Sequence, residues 1–334
     1  MLECHSIVLR IITQLMKEKI EKQLKIPDEM AGRRVDQAVA ELIPDYSRAR
    51  LQQWMKQGQL TLNGASCRPK DKVFGGEVIE LNAEIEDQGD WQAEPIPLDI
   101  SYEDDDIIVV NKPAGLVVHP AAGNRTGTLV NALLHHDANL ITLPRAGIVH
   151  RLDKDTTGLL VVARSLPAHT ALVAQLQARE IHRHYLAVTT GEIISGGSVE
   201  APIGRHPHKR TQMAVVPSGK PAITHYRVAE RFRQHTLLSV QLETGRTHQI
   251  RVHMAHIHHA LLGDPVYGQR LHIPSGATDV LITQLRQFKR QALHASALSL
   301  SHPCSGEWYS WEAPLAEDMQ ILIAALQNDR DAHA

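Results

Sequence analysis

The chain has 334 residues, 43% of them hydrophobic, and a formal net charge of −2 at pH 7. This length and composition favour a packed globular protein of two or three domains over a disordered chain. The longest apolar runs, such as Ile107–Val110 and Leu159–Ala163, are far shorter than the roughly 20 residues of a transmembrane helix, so the sequence implies none.

The charged residues that give the negative net charge are unevenly distributed along the chain. Residues Glu84–Asp106 carry ten acidic side chains and no Lys or Arg. Without that stretch the chain has 35 basic and 27 acidic residues, so an acidic segment joins two mildly basic parts. Such a balance fits an RNA partner better than the total charge does.

The three cysteines, Cys4, Cys67 and Cys304, are isolated and form no C-x-x-C pair. The pattern therefore indicates neither a disulfide framework nor a cysteine zinc site, and it favours a reducing cytoplasm. We expect no cofactor, no metal and no membrane partner, and we expect a monomer.

Residues 1–31 are predicted to be an N-terminal extension without chemistry. Residues 1 to about 23 lack the positive start of a signal peptide, and we interpret them as a frayed or helical segment. Met16 is a plausible alternative translation start.

Residues 32–82 have the pattern of a small module. Apolar residues recur at helical spacing in two segments, which are Val35, Ala38, Val39 and Leu42 and then Leu51, Trp54 and Met55. Pro44 is expected to end the first helix, and Ser47 is expected to cap the second. Leu60–Leu62 and Val78–Leu81 predict short strands, with an Asn63-Gly64 turn after the first.

Basic side chains are spread through this module and recur in a later loop. Two short helices with arginines near their starts suit phosphate contacts, although solvated helix faces have the same pattern. The predicted RNA-contacting residues of the module are Arg33, Arg34, Arg48, Arg50, Lys56 and Arg68. The densest basic hexamer spans residues 205–210, and its candidate phosphate contacts are Arg205, Lys209 and Arg210.

A linker is predicted over residues 83–97, and a larger domain over residues 98–330. In the larger domain, Ile107–Val110 predicts a buried strand. Pro and Gly punctuate Asn111–Pro120, which indicates a turn and a second short strand. Leu129–His136 has the pattern of a short helix.

The stretch His150–Gly158 is the most informative loop of the chain. It lies between the apolar runs Gly147–Val149 and Leu159–Ala163, which predict a strand on each side. Two carboxylates, Asp153 and Asp155, therefore share one polar loop between rigid elements, a common setting for chemistry. From the residues alone, an Asp-rich turn with solvated charges explains the loop at least as well.

Further elements follow this loop. Ser165 predicts the N-cap of a helix with Pro167 in its first turn, and His184–Val188 predicts a strand. Glu317–Asn328 has the pattern of a terminal helix.

A strand-to-helix junction is predicted near the middle of the larger domain. Leu237–Leu242 alternates between apolar and polar residues, which indicates a strand that leads into Glu243–His253. Thr247 is predicted to cap a helix that starts immediately after Arg246. Arg246 would then be held at the junction from both sides.

Several motifs resemble known families. In residues 32–82 the order R-x-D-x-x-x-A, S-R-x-R, L-T-L-N-G and G-G-E-x-I-x-L resembles the S4 RNA-binding domain. The strings NKPAGLVVHP, HRLDKDTTG and TGRTHQIRVH resemble the RluA/RluD family of pseudouridine synthases, which convert uridine in RNA to its C-glycoside isomer. The second resemblance covers roughly residues 99–314.

This resemblance implies roles for five residues. Asp153 would be the catalytic carboxylate, and Arg246 would pair with it, which would keep it ionised and oriented. The target base must leave its stack, so Arg151 would contact or displace the flipped nucleotide. Tyr185 would stack on the uracil and Ile250 would supply an apolar wall, although a half-buried strand tyrosine is as good an interpretation of Tyr185 alone.

The resemblance also implies the fold and the substrate. We expect an α+β protein, in which a small S4-like domain precedes a larger domain with a mixed, mainly antiparallel sheet flanked by helices. The implied partner is 23S rRNA in the large ribosomal subunit or its precursors, with the helix 69 hairpin as target. The alternatives are an RluC-type synthase acting on other 23S rRNA uridines and a non-catalytic S4-type protein that binds rRNA or assists ribosome assembly.

A histidine-liganded hydrolase is a further alternative. The histidines that crowd one segment are His253, His256, His258 and His259. The glutamate of an H-E-x-x-H helix is missing there, so the metal interpretation has little support.

Overall fold

The computed structural model describes residues 19–43, 46, 48–84, 91–120, 124–209, 211–268 and 270–334. It divides into two compact units that separate between Asp90 and Trp91. Predictions that concern Met16, Pro44, Ser47, residues 85–90 of the linker and Arg210 lie outside the described residues.

In its described part, the smaller unit contains two α-helices and a four-stranded antiparallel sheet with the strand order β1-β4-β2-β3. Its elements are β1 (Lys19–Lys25), α1 (Val35–Leu42), α2 (Arg48–Gln57), β2 (Leu60–Leu62), β3 (Ala65–Ser66) and β4 (Val78–Glu84). The apolar residues that predicted α1 and α2 lie in one buried core, in which Trp54 is 1% exposed. Asn63 and Gly64 join β2 to β3 with φ of 51° and 72°, the left-handed pair that a tight hairpin turn requires.

Strand β1 differs from the prediction of a frayed or helical extension. It pairs in antiparallel register with the whole of β4, from Lys19 opposite Glu84 to Lys25 opposite Val78. Ile20 and Ile26 are buried, and Leu24 packs against the same core. These even-numbered positions have the two-residue period of a strand, a signal that the charged residues between them obscured.

The larger unit is built on a nine-stranded sheet with the order β5-β6-β7-β14-β8-β13-β12-β9, and β15 pairs with β14. A separate hairpin joins β10 and β11. The strands are β5 (Ile100–Glu103), β6 (Ile107–Lys112), β7 (Thr157–Ala163), β8 (His182–Thr190), β9 (Gly197–Glu200), β10 (Ile203–Arg205), β11 (Met213–Val215), β12 (Ile223–Arg231), β13 (His235–Leu242), β14 (Leu293–Ser301) and β15 (Trp308–Glu312). The helices are α3 (Leu129–His136), α4 (Leu166–Ala178), α5 (Gln249–His256), α6 (Asp279–Gln287) and α7 (Glu317–Asp331).

Helices cover both faces of the central strands. Along β6, Ile108 belongs to a buried cluster with Leu133 of α3, whereas Val109 belongs to another with Leu172 of α4. Burial on both faces explains why β6 is an unbroken apolar run. Among the strands of the described ranges, the pair β7 and β14 is parallel and the other pairs are antiparallel, so the predicted α+β fold with a mixed, mainly antiparallel sheet is confirmed.

The predicted strand before the His150–Gly158 loop is not formed. Pro144–Gly147 is a short 3-10 turn that contains two left-handed residues, and Ile148 makes a single bridge to Val162. The strand after the loop, β7, is formed as predicted. In the part of the chain that the structure describes, no helix combines the length and the apolar character needed to cross a membrane.

Gly158 joins the loop to the sheet at a point without space for a side chain. Its φ is 106°, and a Cβ atom there would lie 2.2 Å from the carbonyl oxygen of Ala295. Ala295 pairs with Gly158 on one side and with Tyr185 on the other. The absent side chain thus lets the loop and the tyrosine approach the same residue of β14.

We expect Gly158→Ala to lower the free energy of unfolding by about 2–4 kcal/mol, because it adds a steric contact to the strain of a positive φ. Gly115→Ala is the matched control, since Gly115 has a φ of 84° but no atom within 4 Å of its added Cβ. The control should lose only about 1 kcal/mol. Equal losses in urea unfolding curves would show that the contact with Ala295 is not the cause.

Candidate active site

A cleft of about 1160 Å³ opens in the larger unit. It is lined by the whole of the His150–Thr156 loop, by Tyr185 of β8 and by the segment from Leu242 to Arg251. The residues predicted for chemistry and substrate binding all line it, and they are Asp153, Arg151, Tyr185, Arg246 and Ile250. Sequence positions almost a hundred residues apart therefore meet around one space.

The buried lysine Lys112 fixes the backbone of the His150–Thr156 loop. The Nζ atom of Lys112 donates hydrogen bonds to the carbonyl oxygens of Pro113, Leu116 and Lys154, at 2.8, 2.9 and 2.9 Å. Burial lowers the pKa of Lys112 to about 7, against the opposite effect of nearby acidic side chains. The lysine thereby ties the turn after β6 to the residue that follows Asp153.

An arginine and a glutamine hold the other end of the loop. Arg290 forms a bidentate ion pair with Asp318, at 2.6 and 2.7 Å, and donates from Nη1 to the carbonyl oxygen of Asp155 at 3.1 Å. The Gln291 amide donates to the hydroxyl of Thr156 at 3.0 Å. Successive residues of the loop are thus fixed through their backbone or side-chain oxygens.

Asp153 is held by an arginine that is itself held by a second carboxylate. Arg251 donates from Nη1 to Oδ2 of Asp153 at 2.9 Å. Its Nε and Nη2 atoms donate to the two oxygens of Asp264, at 2.7 and 2.9 Å. Arg251 is 5% exposed and Asp153 is 13% exposed, so the pair is shielded but Asp153 remains accessible from the cleft.

The pKa values follow this arrangement. Burial lowers the pKa of Arg251, but the hydrogen bonds and charges of Asp264 and Asp153 raise it above its ordinary value. Burial raises the pKa of Asp264, but the hydrogen bonds and charge of Arg251 lower it below its ordinary value. The Arg251–Asp264 pair is therefore a permanently charged support for Asp153.

The predicted pairing of Arg246 with Asp153 is wrong, because Arg251 occupies that position. Arg246 is half-buried and donates from Nε to the carbonyl oxygen of Pro221 at 3.1 Å. Helix α5 starts at Gln249 with His248 as its N-cap, one residue later than the predicted cap at Thr247. Arg246 precedes the helix, whereas Arg251 lies within it and reaches the loop.

Gln249 replaces the predicted cap as the residue that fixes the junction. Its Oε1 atom accepts from the Thr244 hydroxyl at 2.8 Å and from the Arg246 amide at 3.0 Å. Its Nε2 atom donates to the carbonyl oxygen of Ile223 and to the hydroxyl of Thr224. A buried amide with these four partners specifies the junction, but the sequence offers no local pattern for such long-range contacts.

His248 lies between Asp153 and a tyrosine. The Tyr267 hydroxyl accepts from the Met213 amide at 2.9 Å and forms a hydrogen bond with Nδ1 of His248 at 2.7 Å. Nε2 of His248 lies 3.8 Å from Oδ1 of Asp153, beyond hydrogen-bond reach. Burial lowers the pKa of His248, Asp153 raises it and Arg251 lowers it, which favours the neutral ring.

The remaining cleft residues differ in depth. Tyr185 is 5% exposed and Ile250 is 3% exposed, and burial raises the pKa of the tyrosine hydroxyl. Arg151 is exposed at the edge of the loop. Sequence reasoning found these residues but missed Arg251, His248 and Lys112, all of which lie within the quoted motifs.

Of the six residues of the smaller unit that were predicted to contact RNA, four are ion-paired. The pairs are Arg33 with Glu41, Arg34 and Arg48 with the fully buried Asp36, and Arg68 with Asp71. Arg50 lies over the Trp54 ring at 5.5 Å, and Lys56 is exposed. The paired guanidinium side chains are still 41–75% exposed, so they can reach phosphates, and their RNA contacts stay a prediction.

Residues 205–209 of the basic hexamer lie between or at the ends of β10 and β11, where Arg205 and Lys209 are exposed. Of the crowded histidines, His253 has a structural role, because it contacts the Thr224 hydroxyl and the Ala201 carbonyl oxygen, each at 2.9 Å. Among the residues described, no three His, Cys, Asp or Glu side chains are grouped to hold a metal.

Comparison with known families matches both units. Residues 106–256 match the RNA pseudouridylate synthase family, and residues 33–79 match the S4 domain. A ribosomal large subunit pseudouridine synthase D from Pseudomonas aeruginosa is 56% identical over 317 residues, which cover 95% of this chain and 99% of that protein. Its counterpart from Escherichia coli is 55% identical over 319 residues, which cover 95% and 98%.

A solved structure has the same fold over the larger part of the chain. Human RNA pseudouridylate synthase domain containing 4 is 26% identical with a TM-score of 0.52, and the match covers 68% of this chain and 92% of that one.

The ion pair between Arg251 and Asp153 leads to a prediction about the stability of two arginine variants. Arg251→Met should lower the free energy of unfolding by about 3–5 kcal/mol, because it leaves two shielded carboxylates without their cation. Arg246→Met should change it by less than about 0.5 kcal/mol, since its guanidinium is half-buried and contacts one carbonyl oxygen. Chemical denaturation of the two variants tests the assignment, and a larger loss in Arg246→Met would contradict it.

Proposed function

Because the chain belongs to the RNA pseudouridylate synthase family and is an RNA pseudouridine synthase, we propose that Asp153 is its catalytic residue and that its substrate is large-subunit rRNA. The observation that carries the proposal is the shielded Asp153–Arg251–Asp264 chain at the wall of the cleft. Asp153 lies on a fixed loop and faces the cleft, with one of its oxygens held by Arg251.

The chemistry requires this arrangement. The reaction breaks the C1′–N1 bond of uridine, and positive charge develops on the sugar as it does in glycoside cleavage. A carboxylate held by Arg251 is positioned to act on the sugar without moving. Attack of Asp153 on C1′ and removal of the 2′ proton both fit this position, and a deuterium isotope effect at C2′ distinguishes the second route.

The cleft also suits a base that has left its stack. Tyr185 supplies an aromatic face for the uracil, and Ile250 supplies an apolar wall. Arg151 is exposed beside Asp153, where it contacts or displaces the flipped nucleotide. Arg246 keeps a partly exposed guanidinium for an RNA phosphate, in place of its predicted pairing with Asp153.

The proposed target is the helix 69 hairpin of 23S rRNA. Two relatives above 50% identity bear the name of a large-subunit synthase, and the basic residues of the S4-like unit suit rRNA phosphates. Loop recognition depends on RNA shape as much as on side chains, so other 23S rRNA uridines are the alternative.

Asp153→Asn should abolish pseudouridine formation, with a loss of roughly 10³-fold or more, while RNA affinity is retained. Asp155→Asn is the matched control on the same loop, because its contact to Arg290 is made by a backbone oxygen that the substitution keeps. The control should form pseudouridine at the wild-type rate. Carbodiimide detection of pseudouridine measures both, and an active Asp153→Asn would reject the assignment.

Pseudouridine mapping in rRNA from a strain that lacks the gene tests the target. The helix 69 uridines should be unmodified there and should regain modification when the purified protein is added. A transcript in which those uridines are replaced by cytidine is the control and should stay unmodified. If helix 69 is unaffected and other 23S rRNA positions are lost, the alternative target is correct.

A further inference from the structure

Arg183 is a buried cation in the wall of the cleft, and it has no partner among the residues that the structure describes. It is 7% exposed, its Nε atom has no hydrogen-bond partner, and it lines the same cleft as Asp153. Within the described ranges, no hydrogen bond or ion pair to its guanidinium is formed. It precedes Tyr185 by two residues on β8, so the two side chains lie on the same face of the sheet.

Other buried arginines of this unit have carboxylate partners. Arg251 is paired with Asp264 and Asp153, and Arg290 with Asp318. A cation that is removed from water without such a partner destabilises the folded state. Arg183 is therefore placed for a ligand, because its charge gains nothing from its protein neighbours.

The surroundings of Arg183 leave space but supply no acceptor. A Cβ atom on Gly245 would lie 2.7 Å from Nη1 of Arg183, so the glycine makes room for the guanidinium. His150 lies close enough for the Arg183 charge to add to the effect of burial, and together they lower its pKa to about 3.

His150 adds a second donor without a partner. Its Nε2 atom accepts from the Val161 amide at 3.1 Å, so its Nδ1 atom carries the proton. That Nδ1 atom is buried and has no hydrogen-bond partner. Arg183 and His150, each with a donor that has no partner among the described residues, therefore line the same cleft as Tyr185. A planar ligand that is rich in acceptors could satisfy such donors.

We propose that Arg183 binds a carbonyl oxygen of the flipped uracil and stabilises the negative charge that the base carries when its glycosidic bond breaks. The proposal rests on the function proposed above, since it places the uracil on Tyr185. It gives Arg183 a direct contact with the reacting base, distinct from the action of Asp153 on the sugar.

The charge arises whichever way Asp153 acts. When the C1′–N1 bond breaks, its electron pair stays on the uracil, where N1, O2 and O4 share the charge. When C5 then bonds to C1′, the base gives up that charge, C5 loses its proton and N1 gains one, so the isomerisation leaves no net charge. A guanidinium that is fixed beside the oxygens stabilises the separated base without reorganising.

Burial favours the base over a phosphate as the ligand. Phosphates of a bound RNA keep much of their hydration, and exposed cations such as Arg151 are available to them. Arg183 is nearly as buried as Tyr185, so a group inserted as deeply as the base is required to reach it.

Arg183→Met and Arg183→Lys test the proposal with total RNA from a strain that lacks the gene. In single-turnover assays Arg183→Met should form pseudouridine about 10²-fold more slowly with unchanged RNA affinity, and Arg183→Lys should recover part of the rate. The melting temperature of Arg183→Met should equal or exceed that of the wild type, because an unpaired buried charge is removed. Arg330→Met, which removes an arginine paired with Glu230 away from the cleft, is the control for loss of charge.

Four outcomes would overturn the proposal. A wild-type rate in Arg183→Met would remove Arg183 from the reaction, and a strongly lowered melting temperature would make it structural. An Arg183→Met variant that does not fold would also show that Arg183 has a structural role. A loss confined to affinity, with a salt dependence that falls by about one phosphate contact, would assign Arg183 to the RNA backbone.

Failure of the function proposed above gives a different result. The wild-type protein would then modify an RNA other than large-subunit rRNA, and the Arg183 variants would be compared on that RNA.

Discussion

The contact between Asp153 and Arg251 is the constraint on which the site depends. It joins a loop that ends at β7 to the helix α5, which lies about a hundred residues further along the chain. Both groups are shielded from water, so each carries a cost of desolvation that only the other, together with Asp264, compensates. A pair of this kind fixes position more than it adds stability. Here the position is that of a carboxylate at the wall of a cleft.

The other contacts around the loop help to keep Asp153 in that position. Lys112 and Arg290 bind backbone oxygens of the loop, so they fix its path without using the side chains that face the cleft. His248, with a φ of 58°, stores strain at the start of α5, and its contact with Tyr267 holds it there. A rigid frame of this kind suits a reaction in which the detached base must be kept in place while it turns.

The elements that depend on a local pattern of residues could be predicted from the sequence. Helices α1, α3 and α7, strand β7 and the Asn63-Gly64 turn correspond to periodicity and turn chemistry that operate over a few residues. The cleft residues were found because their motifs resemble a family. The choice between Arg246 and Arg251 was wrong because it depends on contacts between residues far apart in the sequence, Arg251 with Asp153 and Arg246 with Pro221, for which the sequence has no local pattern. Strand β1 was missed for a related reason, since its pairing with β4 spans about sixty residues.

The roles of the arginines in this chain differ according to whether the side chain is buried and whether it has an ion-pair partner. Arg34 and Arg48 are paired but exposed, so a phosphate can reach them at little cost in desolvation. Arg251 is paired and buried, so its partners are already the acids it holds. Arg183 is buried and has no partner among the described residues, a combination that costs stability and that a ligand would relieve. The net charge of −2 therefore carries little information about RNA binding, because each cation acts through its local environment and not through the total.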